Sequence, residues 1–145
     1  MRAMTIAAAV AAALAAAPAA YAQPTADNRA VATDFWRLVF AGRAPEAFDR
    51  YVSPAFIEHN PNLPDGPAGA RAFLSRPEYM AGGRTIERMA VDGDLVFVHM
   101  RSVNPETQGV TAVVDIFRLQ DGKIVEHWDV VQRAPETSRN PHPMF

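Results

Sequence analysis

The sequence predicts an α+β fold, a cone in which N-terminal helices pack on one face of a strongly curved antiparallel sheet. Three observations carry this reading. Apolar residues recur at helical spacing up to about residue 80; after Gly82-Gly83 the period changes to two; and the four alternating segments that follow are joined by connections too short for a crossover. Strands joined by hairpins pair antiparallel, and helices that precede them rather than alternate with them cover one face of the sheet.

The first element is not part of that domain. "MRAMTIAAAVAAALAAAPAAYAQP" has one basic residue, an Ala/Val/Leu run and the small-x-small triplet Ala20-Tyr21-Ala22. This predicts a signal peptide over residues 1–22, cleaved after Ala22. Residues 23–145 are then one periplasmic or secreted domain. The apolar run is short and weakly hydrophobic for a span, so no membrane association is expected after cleavage. The chain contains no cysteine, which excludes a lipid anchor, disulfides, thiolate metal sites and a Cys nucleophile. Its net charge of −2 comes without a basic stripe, so no nucleic-acid partner is expected.

Ala30, Val31, Phe35, Leu38 and Val39 predict a helix over 27–41, with Gly42 placed to stop it. Pro45 suits the first turn of a short helix over 45–51. Phe56 and Ile57 suggest a brief extended piece, and the Pro/Asn/Asp/Gly cluster over 60–69 forces a loop. Residues 70–80 form another helix, interrupted at Pro77. "RTIERMAV", "DLVFVHMRSV", "GVTAVVDIFRL" and "KIVEHWDVVQ" are the strands, joined at Asp92-Gly93, Asn104 to Gly109 and Asp121-Gly122. The polar, Pro-rich residues 132–145 form an extended tail on the surface.

The last strand carries the chemistry. Residues two apart share a face of a strand, so His127 and Asp129 lie beside Val125 and Val131, with Ile124, Glu126, Trp128 and Val130 opposite. Where Asp115 falls depends on the turn. A two-residue Asp121-Gly122 loop would place it opposite Trp128, whereas a three-residue loop with left-handed Gly122 places it opposite His127. The second register is expected, because it gathers Val113, Asp115 and Phe117 with His127 and Asp129 on one face. If Leu95, Phe97, His99 and Arg101 also face inward, His99 approaches the same hollow.

"FIEHNP", the following "DG", "GDLVFVHMR" and "VDIFRLQDGKIVEHWDVVQ" together resemble the SnoaL-like branch of the nuclear-transport-factor-2-like superfamily, over about Asn28 to Phe145. The resemblance implies the cone, an apolar pocket, and a homodimer formed through the sheet. In the SnoaL-type polyketide cyclases the position matching Asp129 is the general acid/base of an intramolecular aldol condensation. The position matching Asp115 is a histidine there; this chain has Asp115 and retains His127.

A buried carboxylate within reach of a carbon beside a carbonyl can remove its proton. Asp129 is therefore the expected base, with His127 and Asp115 orienting it or sharing its proton. His59, Asn60 and His99 are expected to donate to the enolate oxygen or line the pocket, with Val113, Phe117 and Val125 as its apolar wall. Ketosteroid isomerase, a relative in fold, combines an Asp base with a protonated Asp donor in this way. The expected activity is cofactor-independent proton transfer of aldol, isomerase or hydrolase type on a small hydrophobic carbonyl compound. Two other readings use the same residues. Asp115 and His127 form a satisfied pair that only fixes the hairpin, or the cone is a periplasmic module that binds a small ligand without turnover. A metal site from His59, His99, His127 and an aspartate has the right ligand types but no tight His spacing, so none is expected.

Ile116, Trp128 and Val130 on the other face are the expected dimer interface. Placing a charge there, as Trp128→Glu, is expected to give a monomer in sedimentation velocity; an unchanged dimer would contradict the assignment.

Overall fold

The computed structural model describes residues 25–145; the expected signal peptide and its cleavage site lie outside the described residues. The elements run in the order α1 (Thr25–Phe40), α2 (Ala44–Tyr51), β1 (Val52–Glu58), α3 (Pro67–Leu74), α4 (Pro77–Ala81), β2 (Gly83–Asp92), β3 (Leu95–Val103), β4 (Val110–Gln120) and β5 (Lys123–Arg133). No helix among the described residues is long and apolar enough to cross a membrane.

Ala32, Phe35, Trp36, Leu38 and Val39 form the buried stripe of α1. The helix ends in a Schellman motif: Gly42 is left-handed (φ 75°), its N–H donates to Val39 O, and the Arg43 N–H donates to Leu38 O. Prolines in the first turn open α2, α3 and α4. Pro77 thus starts a new short helix where the sequence implied an interruption. Phe35 anchors the helical layer to the sheet, meeting Trp36, Phe48 and Phe117 edge-on at centroid distances of 5.4, 5.6 and 5.7 Å.

The sheet is five-stranded in the order β1-β5-β4-β3-β2. β2 to β5 form the expected antiparallel meander. The extended piece at Phe56-Ile57 proves to be a full strand, β1, which pairs parallel with β5 and sets Glu58 opposite His127. Its isolation from the meander in sequence hid it, since a parallel partner leaves no hairpin signal.

The facing of β3 is the reverse of the conditional expectation. Val96, Val98 and Met100 point into the core, while Leu95, Phe97, His99 and Arg101 face out. A row with no polar atom loses nothing on burial, whereas a row with His and Arg leaves donors unsatisfied. His99 therefore sits outside, beside Arg88 (3.3 Å), with Phe145 of the C-terminal tail over its ring at 5.9 Å.

The β4–β5 register also differs. The turn is the two-residue type, with Asp121 and Gly122 both left-handed (φ 51° and 73°) and Gln120 opposite Lys123. A bulge follows: Leu119 pairs with Ile124, but Arg118 pairs with Glu126, so Val125 is the extra residue. Beyond it Phe117 opposes His127 and Asp115 opposes Asp129. The bulge restores the alternation that the short turn would have inverted, and Asp115, His127 and Asp129 share the inner face after all. Ile124, buried, takes the place expected for Val125.

Candidate active site

The helices and the concave face of the sheet enclose a cavity of about 340 Å³, within the range of small-molecule sites. Its floor is apolar, with Phe35, Trp36, Phe56, Met100, Val113 and Phe117 among the lining residues. Into this wall β1, β4 and β5 direct Glu58, Asp115, His127 and Asp129, and Asn60 follows from the end of β1.

His127 is clamped on both sides. Its Nδ1 lies 2.8 Å from Glu58 Oε1 and its Nε2 3.1 Å from Asp115 Oδ1. All three side chains are nearly dry, with exposures of 12% for His127, 0% for Glu58 and 7% for Asp115. A neutral imidazole has one N–H and would turn a bare nitrogen toward one of the carboxylates; the imidazolium donates to both. Burial works against its charge, but the hydrogen bonds and charges of Asp115 and Glu58 outweigh it and push the pKa of His127 up to about 9. Burial pushes the Asp115 carboxyl up, with Asp129 and Glu58 adding to the rise and His127 opposing it. With both ring nitrogens engaged, His127 has no lone pair for a substrate; it positions rather than abstracts.

Of the three cavity carboxylates carried by the sheet, Asp129 is the one left over. It faces the cavity directly across from Asp115 and accepts one hydrogen bond, from Asn60 Nδ2 at 2.7 Å. Asn60 is held in turn: its N–H donates to Glu58 Oε1 at 2.9 Å. The loop behind is closed by Asp65, which accepts from the N–H groups of Glu58 (3.0 Å) and Gly66 (2.7 Å), the local reason for the "DG" pair. Tyr79 on α4 also lines the cavity, and burial raises its hydroxyl above the usual tyrosine range, so it remains a donor.

Of the residues expected at the site, Asp115, His127, Asp129, Asn60, Val113 and Phe117 line the cavity; His59, His99 and Val125 do not. Alternation continues past the end of β1, so with Glu58 and Asn60 inward, His59 points out. Its ring stacks on Trp128 at 4.6 Å and meets Glu126 at 2.8 Å. The histidines considered as joint metal ligands are thus divided between the two faces of the sheet. Glu58, Tyr79 and Arg84 were not expected in the cavity. Glu58 had a visible signal, since it lies two residues from Phe56 and so on the same face; the other two depend on where α4 folds back.

Residues 32–127 match the SnoaL-like domain family. No curated protein matches the chain. Solved structures with the same fold include TsrD from Streptomyces laurentii, 22% identical over 76% of this chain and 91% of that one, with a TM-score of 0.60. A protein provisionally named a ketosteroid isomerase from Kribbella flavida is 20% identical over 79% and 84%, with a TM-score of 0.65. A protein provisionally named a SnoaL-like polyketide cyclase from Jannaschia sp. is 18% identical over 73% and 85%, with a TM-score of 0.60. At these identities the likeness shows the fold.

The clamp has a pH signature. A histidine whose pKa rises from 6.5 to about 9 on folding contributes stability in full below pH 6.5 and loses it as the pH rises through 9. Urea unfolding is expected to show a fall of up to about 3 kcal/mol across that window, and the fall should shrink sharply in His127→Gln. Stability that stays flat or rises from pH 6.5 to 9 would contradict the clamp.

Proposed function

Because the chain belongs to the SnoaL-like domain family, and because its largely apolar cavity presents Asp129 as a carboxylate with a single protein partner, we propose that it catalyses cofactor-independent proton transfer beside a carbonyl group. The substrate is a small hydrophobic carbonyl compound, and the reaction is of isomerase, aldol or hydrolase type. The observation that carries this reading is the division among the acids: Glu58 and Asp115 are committed to His127, while Asp129 faces the cavity with only Asn60 on it. The provisional names of the structural neighbours, a ketosteroid isomerase and a polyketide cyclase, point to the same class of chemistry.

In this mechanism Asp129 takes the proton from the carbon next to the carbonyl, and the electron pair of the broken C–H bond moves onto the carbonyl oxygen as an enolate. Donors on the cavity wall for that oxygen include the second N–H of the Asn60 amide, the Tyr79 hydroxyl and the unpartnered Trp36 Nε1–H, in surroundings where a hydrogen bond to charge is strong. The enolate carbon then recovers a proton from Asp129 at the same or a conjugated carbon, or attacks a second carbonyl within the substrate, whose π electrons move onto its oxygen and take the proton back from Asp129. The clamped imidazolium holds Glu58 and Asp115 in place on either side of its ring, and it holds Asn60 through Glu58. Export by the N-terminal leader and dimerisation through Ile116, Trp128 and Val130 belong to the same proposal. In support, Val130 is exposed and Trp128 stands on the convex face of the sheet.

The test is hydrogen–deuterium exchange at the α-carbon of a neutral aryl ketone such as butyrophenone, followed by NMR in heavy water. Asp129→Asn is expected to slow the enzyme-dependent exchange about a hundredfold to ten-thousandfold with ketone affinity largely kept. Exchange that persists in Asp129→Asn would remove Asp129 from the mechanism. Tight binding with no exchange in either protein would favour the non-catalytic binding module.

A further inference from the structure

Two charged groups that line the cavity, Glu78 and Arg84, have no task in the mechanism. Arg84, on β2, is half-buried at the end of the cavity opposite the clamp. Both of its hydrogen bonds run from Nη1 to main-chain carbonyls, those of Tyr79 and Gly82. Among the described residues, Nε and Nη2 make no hydrogen bond and Arg84 joins no ion pair; its guanidinium lies over the Tyr79 ring, 3.3 Å from the ring centre. On the sheet its polar neighbours are uncharged: Ser102 is its cross-strand partner, Thr111 pairs with Ser102 in turn, and both line the cavity with Asn104.

From these observations we infer that the Arg84 end of the cavity is a subsite for a carboxylate on the ligand, so that a small oxo acid is taken in preference to the corresponding neutral ketone. The identity of the group at the other end, a carbonyl, rests on the reaction proposed above; the acid subsite does not. The guanidinium is a planar fork of donors matched to a carboxylate, and here no carboxylate of the described residues occupies any of its donors. Burial pulls its pKa down, opposed first by the adjacent Tyr79 and then by Asp115 across the cavity.

The row Arg84–Ser102–Thr111 is separated from the row Asp115–Asp129 by the inward-facing Met100, Val113 and Val131. Four residues of strand between Thr111 and Asp115 span about 14 Å, shortened by the reach of the arginine side chain. A ligand with an acid at one end, an apolar middle and a carbonyl at the other matches this sequence of surfaces. Orientation follows from charge, because Glu58, Asp115 and Asp129 repel an acid from the clamp end and Arg84 attracts it. The acid also remains near water, since Asn104 and Pro105 at that end are exposed.

Calorimetric titration with benzoylpropionate, benzoylbutyrate and benzoylvalerate, each against its methyl ester, tests the subsite. Wild-type protein is expected to bind the acid of at least one length about tenfold to a hundredfold more tightly than its ester. Arg84→Met is expected to erase that preference while still binding the ester, which also reports that the cavity is intact; Arg84→Lys should keep part of it. Equal binding of acids and esters by the wild type, failure of every acid to bind, or a preference that survives in Arg84→Met would each overturn the inference. The preference should persist in Asp129→Asn, so loss of the proposed reaction and loss of the acid subsite are read separately.

Discussion

The structure depends on one imidazole held between two carboxylates. Glu58, His127 and Asp115 come from three different strands, β1, β5 and β4, and their hydrogen bonds cross the sheet where no hairpin connects β1 to the meander. Buried charges are tolerated only when they satisfy one another, and removing one partner from such a chain typically destabilises by about 3–5 kcal/mol. The same physics makes the clamp a poor device for stability alone, since well-packed apolar groups of the same volume usually do as well. What apolar groups would not supply is the arrangement beside it: Asn60 fastened to Glu58, and through Asn60 an oriented Asp129.

The rest of the cavity reinforces this division. The aromatic layer around Phe35 and the inward row of Val96, Val98 and Met100 keep water away, which strengthens each polar contact and raises the penalty for any unpaired atom. Three buried atoms nevertheless lack partners among the described residues: Trp36 Nε1, Glu58 Oε2 and Asp115 Oδ2. All three belong to residues on the cavity wall. Native interiors satisfy most of their polar groups, and the exceptions concentrate where a fold gives up local stability for a site.

Much of this was legible in the sequence, and the parts that were not have physical causes. The change of period at Gly82-Gly83 gave away the α+β class and the meander, because alternation and short turns are local signals. The strand at Val52–Glu58 was seen only as a fragment, since its partner lies far along the chain. Asp115, His127 and Asp129 were expected on one face and are found there, yet by a different route: the turn is one residue shorter than expected, and the bulge at Val125 makes up the difference. A bulge leaves little trace in composition, so Val125 was assigned to the wall that Ile124 occupies. His59 and His99 were drawn toward the site by their chemistry, against the alternation that turns His59 away from Asn60 and the apolar purity that sends Val96, Val98 and Met100 inward instead of His99.

The most direct test of the account is the protonation state of His127 in the folded protein at neutral pH, read from the nitrogen-15 chemical shifts of its ring. Two protonated nitrogens, each with a slowly exchanging N–H, are the expected result. One bare, pyridine-type nitrogen would mean that the imidazole is neutral, and the division of labour that leaves Asp129 to act would lose its basis.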